Sequence, residues 1–225
     1  MQINADLTQR ACVDSESIAW VNSPLPGVQR RMLERDGAEV ARATSIVRYA
    51  AGSFFDFHTH DAGEEFLVLE GVFSDEMGDF PAGMYVRNPV GSRHKPHSEN
   101  GTTILVKLRQ FDPADQTFVR IDTHTSAWLP EPASGIEIMP LHHFGNERVR
   151  LERWPAGTVL PEHQHPGGEE IFVLQGSFSD AEGRYPQGYW LRSPDGSSHA
   201  PASAEGCVLF VKTGHLTGTA DHDNQ

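Results

Sequence analysis

The sequence has little of what marks a secreted, membrane-spanning or disulfide-stabilised protein. It has two cysteines, Cys12 and Cys207, in 225 residues, which allows neither a disulfide framework nor a CxxC zinc site. Every apolar run is shorter than the roughly 18–20 residues of a membrane helix. The first residues lack the basic and then apolar order of a secretory signal. We therefore expect a cytoplasmic protein.

Positive charge is also scarce. The chain has 18 Lys and Arg against 31 Asp and Glu, a formal net charge of −13, and its basic residues form no cluster beyond the pair Arg30-Arg31. Nucleic acids and anionic membranes attract clustered basic residues, so we expect binding to neither. Hydrophobic residues make up 38% of the chain. That is enough for the core of one large domain or of two small ones.

The chain contains the same sequence twice. Residues 49–107 align without a gap with residues 154–212, at an offset of 105, and 26 of the 59 pairs are identical. Upstream, the Ala-Trp pair at 19–20 returns at 127–128. The repeat predicts an N-terminal extension over 1–18, a first domain over 19–112, a second domain over 113–214 and a flexible tail over 215–225.

Each repeat has the pattern of β-structure. Short runs rich in β-branched and aromatic residues, such as 66–69 and 104–106, are separated by Gly, Pro and Asp every eight to twelve residues. Residues 1–18 fit either a short helix or an extra edge strand. The predicted fold class is all-β, with two small antiparallel sandwiches or barrels in tandem.

Four residues of metal-binding type recur at the same spacing in both repeats. Two histidines separated by one residue project to the same side of a strand. A glutamate follows across a stretch suited to a turn, and a third histidine comes 30 residues after it. Three imidazoles and one carboxylate suit Zn, Fe, Mn, Ni or Co, so we predict one divalent metal per repeat. The candidate ligands are His58, His60, Glu64 and His94, then His163, His165, Glu169 and His199.

Neighbouring polar residues leave alternatives open. Glu65 and Glu170 are rival carboxylates, although the alternation of a strand points them to the opposite face. An aromatic residue and an arginine on a later strand either border a pocket or take core and salt-bridge positions: Tyr85 and Arg87, Trp190 and Arg192. Six histidines have no histidine at the equivalent position of the other repeat. His97 is expected at the surface or behind a metal ligand. The others are expected in solvent: His124, His142, His143, His215 and His222.

The repeated pattern Gly-x5-His-x-His-x3-Glu-x6-Gly, at 52–71 and 157–176, resembles the first cupin motif. A second stretch runs from a glycine to the third histidine, at 83–94 and 188–199, and is longer than in the commonest cupins. It is similar to the corresponding stretch in the cupin domain of ChrR-type anti-sigma factors. The resemblance covers about residues 19–214. It implies two tandem jelly-roll barrels, also called double-stranded β-helices, each with zinc held by three His and one Glu.

The resemblance also frames the expected function. ChrR-type proteins bind an ECF sigma factor through an N-terminal helical zinc module, and residues 1–18 do not match it, so we do not expect tight sigma-factor capture. We expect a metal-binding bicupin with a regulatory or sensor role. The alternative is a mononuclear metal-dependent dioxygenase or isomerase acting on a small molecule, with catalytic residues unidentified. Zinc is the first expectation for the metal, with Fe, Mn or Ni as alternatives, and a small-molecule ligand and a homodimer stay open.

Overall fold

Regular structure in this protein is almost entirely β-strand. The computed structural model describes residues 1–216. Within that range the only helical turn is the three-residue 3-10 helix Ser15–Ser17, so no helix there is long enough to cross a membrane. The predicted all-β fold class is confirmed. The chain forms two compact units, one from Met1–Ala5 with Ser17–Ser126, the other from Asp6–Glu16 with the chain from Ala127 onwards.

The strands are numbered here in chain order. The N-terminal segment carries β1 (Gln2–Ile3) and β2 (Ala11–Asp14). The next strands are β3 (Val21–Asn22), β4 (Val28–Gly37), β5 (Ala41–Tyr49), β6 (Ser53–Phe54), β7 (His58–Thr59), β8 (Glu64–Asp75), β9 (Gly78–Pro81), β10 (Met84–Asn88), β11 (Arg93–His94), β12 (His97–Ser98), β13 (Thr102–Leu108) and β14 (Val119–Asp122). The remaining strands are β15 (Leu129–Glu131), β16 (Ile136–Phe144), β17 (Glu147–Trp154), β18 (Thr158–Val159), β19 (His163–Gln164), β20 (Glu169–Asp180), β21 (Gly183–Pro186), β22 (Tyr189–Ser193), β23 (Ser198–His199), β24 (Ala202–Ser203) and β25 (Cys207–Thr213).

The two units have corresponding main sheets, and one edge strand of each sheet is exchanged. The strand order is β1-β4-β5-β13-β8-β10-β14 in the first unit and β15-β16-β17-β25-β20-β22-β2 in the second. The strand β14 directly precedes the second repeat, yet it pairs with β10 of the first unit. Equally, β2 precedes the first repeat and pairs with β22 of the second unit. The segment before each repeat therefore adds an edge strand to the sheet formed by the other repeat.

This exchange divides the chain differently from the predicted boundaries. Residues 6–16, expected in an N-terminal extension, belong to the second unit, and residues 113–126 belong to the first unit. Residues 1–18 form two edge strands and a 3-10 turn, so the strand alternative is the correct one. Of the tail expected over 215–225, only 215 and 216 lie within the described residues. Leu216 is buried, and its N–H donates to the carbonyl of Gly167 at 2.7 Å.

An apolar core fills the inner face of each main sheet. In the first unit it contains Phe66, Phe73 and Ile104, and the second unit has Ile171, Phe178 and Leu209 at the equivalent positions. The glycine that ends the repeated motif is required by close packing. A Cβ on Gly71 or on Gly176 would lie 2.1 Å from the carbonyl oxygen of Gly101 or Gly206, and both glycines have positive φ.

Candidate metal sites

In the first unit a short ladder and a turn bring the four candidate ligands together. His58 in β7 lies directly opposite His94 in β11. The carbonyl of His60 accepts the N–H groups of Gly63 at 3.3 Å and Gly91 at 2.9 Å. These bonds hold the turn after the second histidine, so that Glu64, the first residue of β8, returns over the imidazoles.

The donor atoms in the first unit have the spacing of a coordination sphere. Nε2 of His60 lies 2.9 Å from Nε2 of His94, and Oε2 of Glu64 lies 3.3 Å and 3.5 Å from these two atoms. His58 completes the cluster and donates Nδ1–H to the carbonyl of Asp56 at 2.8 Å, which leaves Nε2 free to bind. Two ligand atoms at about 2.1 Å from one cation and at right angles are about 3 Å apart. The residues present therefore fit a metal ion.

The second unit repeats this arrangement. His163 in β19 lies opposite His199 in β23, and its Nδ1 bonds the carbonyl of Pro161 at 2.9 Å. Glu169 places its carboxylate oxygens 3.5 Å from Nδ1 of His165 and 3.7 Å from Nε2 of His199. Nε2 of His165 and Oε2 of Glu169 are buried without a hydrogen-bond partner. Buried polar atoms are nearly always satisfied, so this pair also fits a bound cation.

An aspartate that the sequence analysis did not single out orients the third histidine of each site. Oδ2 of Asp75 lies 2.9 Å from Nδ1 of His94, and Oδ2 of Asp180 lies 3.4 Å from Nδ1 of His199. A carboxylate on Nδ1 fixes the tautomer and turns the Nε2 lone pair towards the site. The signal was present in the sequence, because the two aspartates are identical in the repeats at the offset of 105.

The carboxylate ligands of the two sites have different supports. In the first unit Asn88 donates its Nδ2–H to Oε2 of Glu64 at 3.0 Å, and Arg120 donates to Oδ1 of Asn88 at 2.6 Å. The equivalent positions in the second unit carry Ser193 and Cys12. The repeat gave no signal for either residue, because Asn88 aligns with a serine and Arg120 lies on the exchanged strand β14 outside the gapless repeat.

The pKa values of the two carboxyl groups are shifted in opposite directions. Burial alone raises the pKa of both. For Glu64 the electrostatic interactions with His60 and His94 and the hydrogen bond from Asn88 together outweigh burial, and the pKa is lowered. For Glu169 burial and the neighbouring Glu152 raise the pKa to about 8. At neutral pH the first carboxyl is ionised, whereas the second is mostly protonated until a cation replaces the proton.

Most of the buried imidazoles are kept neutral. Burial lowers the pKa of His60 and His199, and it lowers the pKa of His165 to about 4. His94 is the exception, since its bond to Asp75 outweighs burial and raises its pKa. Neutral imidazoles are the form that binds metals, so His60, His165 and His199 are held in the competent state near neutral pH.

Each cluster opens onto a cavity. The cavity of the first unit has a volume of about 500 Å³, and His58, His60 and Glu64 are part of its wall. The cavity of the second unit has a volume of about 560 Å³ and includes His163 and His165. A cation in either cluster would be within reach of a molecule in the cavity.

The rival carboxylates lie away from the clusters, as predicted. Glu65 accepts hydrogen bonds from the hydroxyl of Tyr85 at 2.7 Å and from Arg87 at 2.9 Å, and Arg87 also bonds Asp115 at 2.7 Å. All of these side chains are buried. Of the two roles left open for the aromatic–arginine pairs, the structure shows the core and salt-bridge role.

On the same face of the second unit, the prediction made for His215 has to be corrected. Glu170 accepts the indole N–H of Trp190 at 3.0 Å and lies 2.5 Å from Nε2 of His215. The prediction that His215 is solvated was wrong, because a buried carboxylate holds it. Of the other extra histidines, His222 lies outside the described residues, His142 is half-buried and three are exposed: His97, His124 and His143.

The sequence matches the family described as the ChrR cupin-like domain at two places, residues 8–112 and 116–217. The chain belongs to this cupin family. The two matches confirm the resemblance, and the protein is a bicupin. No curated protein is significantly similar to it in sequence.

Solved structures share the fold of this bicupin at low sequence identity. A provisionally assigned dioxygenase from Nostoc punctiforme is 17% identical, with a TM-score of 0.76 over 95% of this chain and 85% of its own. A bacterial pirin from Escherichia coli in complex with nickel(II) is 13% identical, with a TM-score of 0.66 over 91% and 99%. A cupin 2 conserved barrel domain protein from Leptotrichia buccalis is 10% identical, with a TM-score of 0.62 over 95% and 99%. These similarities establish the cupin fold and leave the activity to the site.

Proposed function

We propose that each unit of the bicupin holds one divalent cation through its three histidines and one glutamate. The observation that carries this proposal is the convergence of the buried donor atoms. His60 and His94 place two ring nitrogens 2.9 Å apart, and in the second unit buried atoms of His165 and Glu169 have no other partner. Imidazole and carboxylate donors suit Fe, Mn, Ni and Zn alike.

We propose further that the bicupin is a mononuclear metal-dependent enzyme of the dioxygenase type. The three histidines and the glutamate would hold the ion and leave positions open on a six-coordinate metal, and a cavity of about 500 Å³ adjoins the ligand atoms in the first unit. A bound metal supplies open positions for a small molecule and for oxygen. The chain itself would supply the orientation of the ligands and the shape of the cavity.

The second candidate is the regulatory or sensor role that the ChrR resemblance implies. It is favoured by the match to the ChrR cupin-like family over both halves of the chain. In this role a closed, four-coordinate zinc ion would stabilise the fold without binding substrate.

The two candidates differ in whether the metal has open positions. We would reconstitute the bicupin with Fe(II) without oxygen, add nitric oxide as an oxygen analogue, and record the electron paramagnetic resonance spectrum. The enzyme proposal predicts a high-spin iron–nitrosyl signal. A protein that retains only four-coordinate zinc, gives no such signal and forms a stable complex with an ECF sigma factor on gel filtration would favour the sensor.

A further inference from the structure

The two cavities of the bicupin are lined by different types of residue, although each adjoins an equivalent set of candidate ligands. In the first unit the wall beside the cluster is mainly apolar, although it also includes the charged residues Arg30, Glu39, Asp61 and Arg109. Its apolar part is formed mostly by side chains from β4, β5 and β13, namely Val28, Val47, Tyr49, Ile104, Val106 and Leu108. The wall of the second cavity includes Arg148, Arg150, Asp195 and Thr213.

The difference comes from a few equivalent positions on one strand. The register of β5 with β13 and of β17 with β25 shows that the offset of 105 holds along these strands. Three positions on one face of this strand change from small or apolar in the first unit to charged in the second: Ala43 to Arg148, which is exposed, Ser45 to Arg150 and Val47 to Glu152. On the facing strand Leu108 changes to Thr213.

Charged groups in the second unit occupy the part of the interior that the first unit leaves open. Nε of Arg150 bonds Oε1 of Glu152 at 2.6 Å, and the indole N–H of Trp154 bonds Oε2 of Glu152 at 2.9 Å. Glu152 is buried. An apolar molecule placed there would have to desolvate or break this ion pair, which is costly in a buried setting.

The charged residues of the first cavity are balanced. Arg30 bonds Glu39 at 3.1 Å, and Arg109 lies 3.9 Å from Asp61. The wall therefore favours a neutral ligand. These charged residues are paired with one another, so the polar group with free binding capacity that such a ligand would meet is the metal cluster with Glu64 and the histidines.

We propose that the first cavity binds a neutral, mainly apolar small molecule whose oxygen donor coordinates the first-unit metal, and that the second unit does not bind the same molecule. This inference rests on the proposed metal binding and adds the substrate class and the unit that binds it. The volume of about 500 Å³ is in the range of pockets that enclose a small organic ligand.

The test uses two oxygen-donor chelators that differ in their apolar part. Benzohydroxamate and acetohydroxamate would be titrated by calorimetry into the full-length protein loaded with Zn(II), and metal content would be measured on the same samples. We expect one equivalent of benzohydroxamate per chain, bound at least tenfold more tightly than acetohydroxamate, because the ring leaves water for the apolar wall. Equal affinities, or two equivalents with the ring preference in both units, would overturn the inference.

Variants that place residues of the second unit at the equivalent positions of the first unit show which cavity binds the chelator. Val47→Glu and Leu108→Thr should each reduce the preference for benzohydroxamate severalfold or abolish it while two zinc ions stay bound. Leu108→Thr keeps the test decisive if Val47→Glu fails to fold. The matched control is Arg148→Ser at the second cavity, which should not change the affinity for benzohydroxamate. Unchanged binding in Leu108→Thr would contradict the proposed site, whereas a wild-type protein that takes up no metal would overturn the proposed function and this inference with it.

Discussion

At the scale of residues, the two glutamate ligands show how equivalent positions acquire different chemistry. Glu64 receives a hydrogen bond from Asn88, which is itself held by Arg120, and its pKa is lowered. Glu169 has Ser193 in place of the asparagine, and its pKa is raised to about 8. A ligand must lose its proton before it binds a cation, so the two sites should respond differently to pH.

The second site should bind zinc more tightly as pH rises. In a His58→Ala variant, which retains only that site, we expect the affinity to increase about tenfold between pH 7 and pH 9, since about one Glu169 carboxyl in ten is ionised at pH 7. His165, with a pKa of about 4, stays neutral over this range. The measurement is competition with a zinc chelator, and an affinity that does not change with pH would contradict the assignment.

The raised pKa of Glu169 also affects the metal-free protein. Its pKa in the folded state is about 8, against 4.5 for the ordinary carboxyl, so the folded state holds this proton more strongly than the unfolded state. The stabilisation is complete below pH 4.5 and is lost as pH rises towards 8. We expect the melting temperature of the metal-free second unit to fall over this window and added zinc to reverse the fall.

Asn88 should control the affinity of the first site only. In Asn88→Ser, which imports the residue found at position 193, Glu64 loses its amide donor. We expect zinc to bind about 10–100-fold more weakly at the first site, which is the usual effect of removing such a support. The control is Ser193→Ala, which should leave the first site unchanged. Equal losses of affinity at both sites in Asn88→Ser would show a general loss of structure instead.

At the scale of elements, the exchanged strands β2 and β14 complete the sheets. The N–H of Ser15 donates to the carbonyl of Gly188 at 3.2 Å. Because hydrogen-bonded pairs alternate along an antiparallel ladder, the next such pair is Val13 with Trp190. The neighbouring Arg10 bonds the hydroxyl of Tyr185 at 2.7 Å. The N-terminal segment thus supports the second unit.

Proline in the exchanged strands should destabilise one unit at a time. Val13→Pro removes a ladder donor from the second unit, and Ile121→Pro removes the equivalent donor from the first. We expect each variant to lower the free energy of unfolding of its own unit by roughly 1–3 kcal/mol. Hydrogen exchange followed by mass spectrometry reads the two units separately. Faster exchange in the first unit of Val13→Pro would contradict the strand exchange.

The same elements show what the sequence could predict. The ligands, the strands and the separation of Glu65 from Glu64 follow from the period of two in strands and from the repeat, because these depend on neighbours along the chain. The partners of β2 and β14 could not be predicted, since the two segments share only the final aspartate, Asp14 and Asp122. The burial of His215 could not be predicted either, because its partner Glu170 lies 45 residues away along the chain.

At the scale of the whole molecule, the bicupin carries two complete and separate clusters. All candidate ligands of each cluster come from one unit, so neither site needs a residue of the other. The duplication has preserved both sets of ligands while the cavity walls have diverged, with Val47 in one unit and Glu152 in the other. Two metal ions with different surroundings are therefore the central claim about this protein.

Metal content tests that claim most directly. Elemental analysis of gently purified, zinc-reconstituted protein should give two equivalents per chain for the wild type, one for His58→Ala, one for His163→Ala and none for the double variant. The reason is that each substitution removes one of the four ligands of its own cluster and leaves the other cluster intact. Loss of both equivalents from a single substitution, or fewer than two in the wild type, would contradict the account.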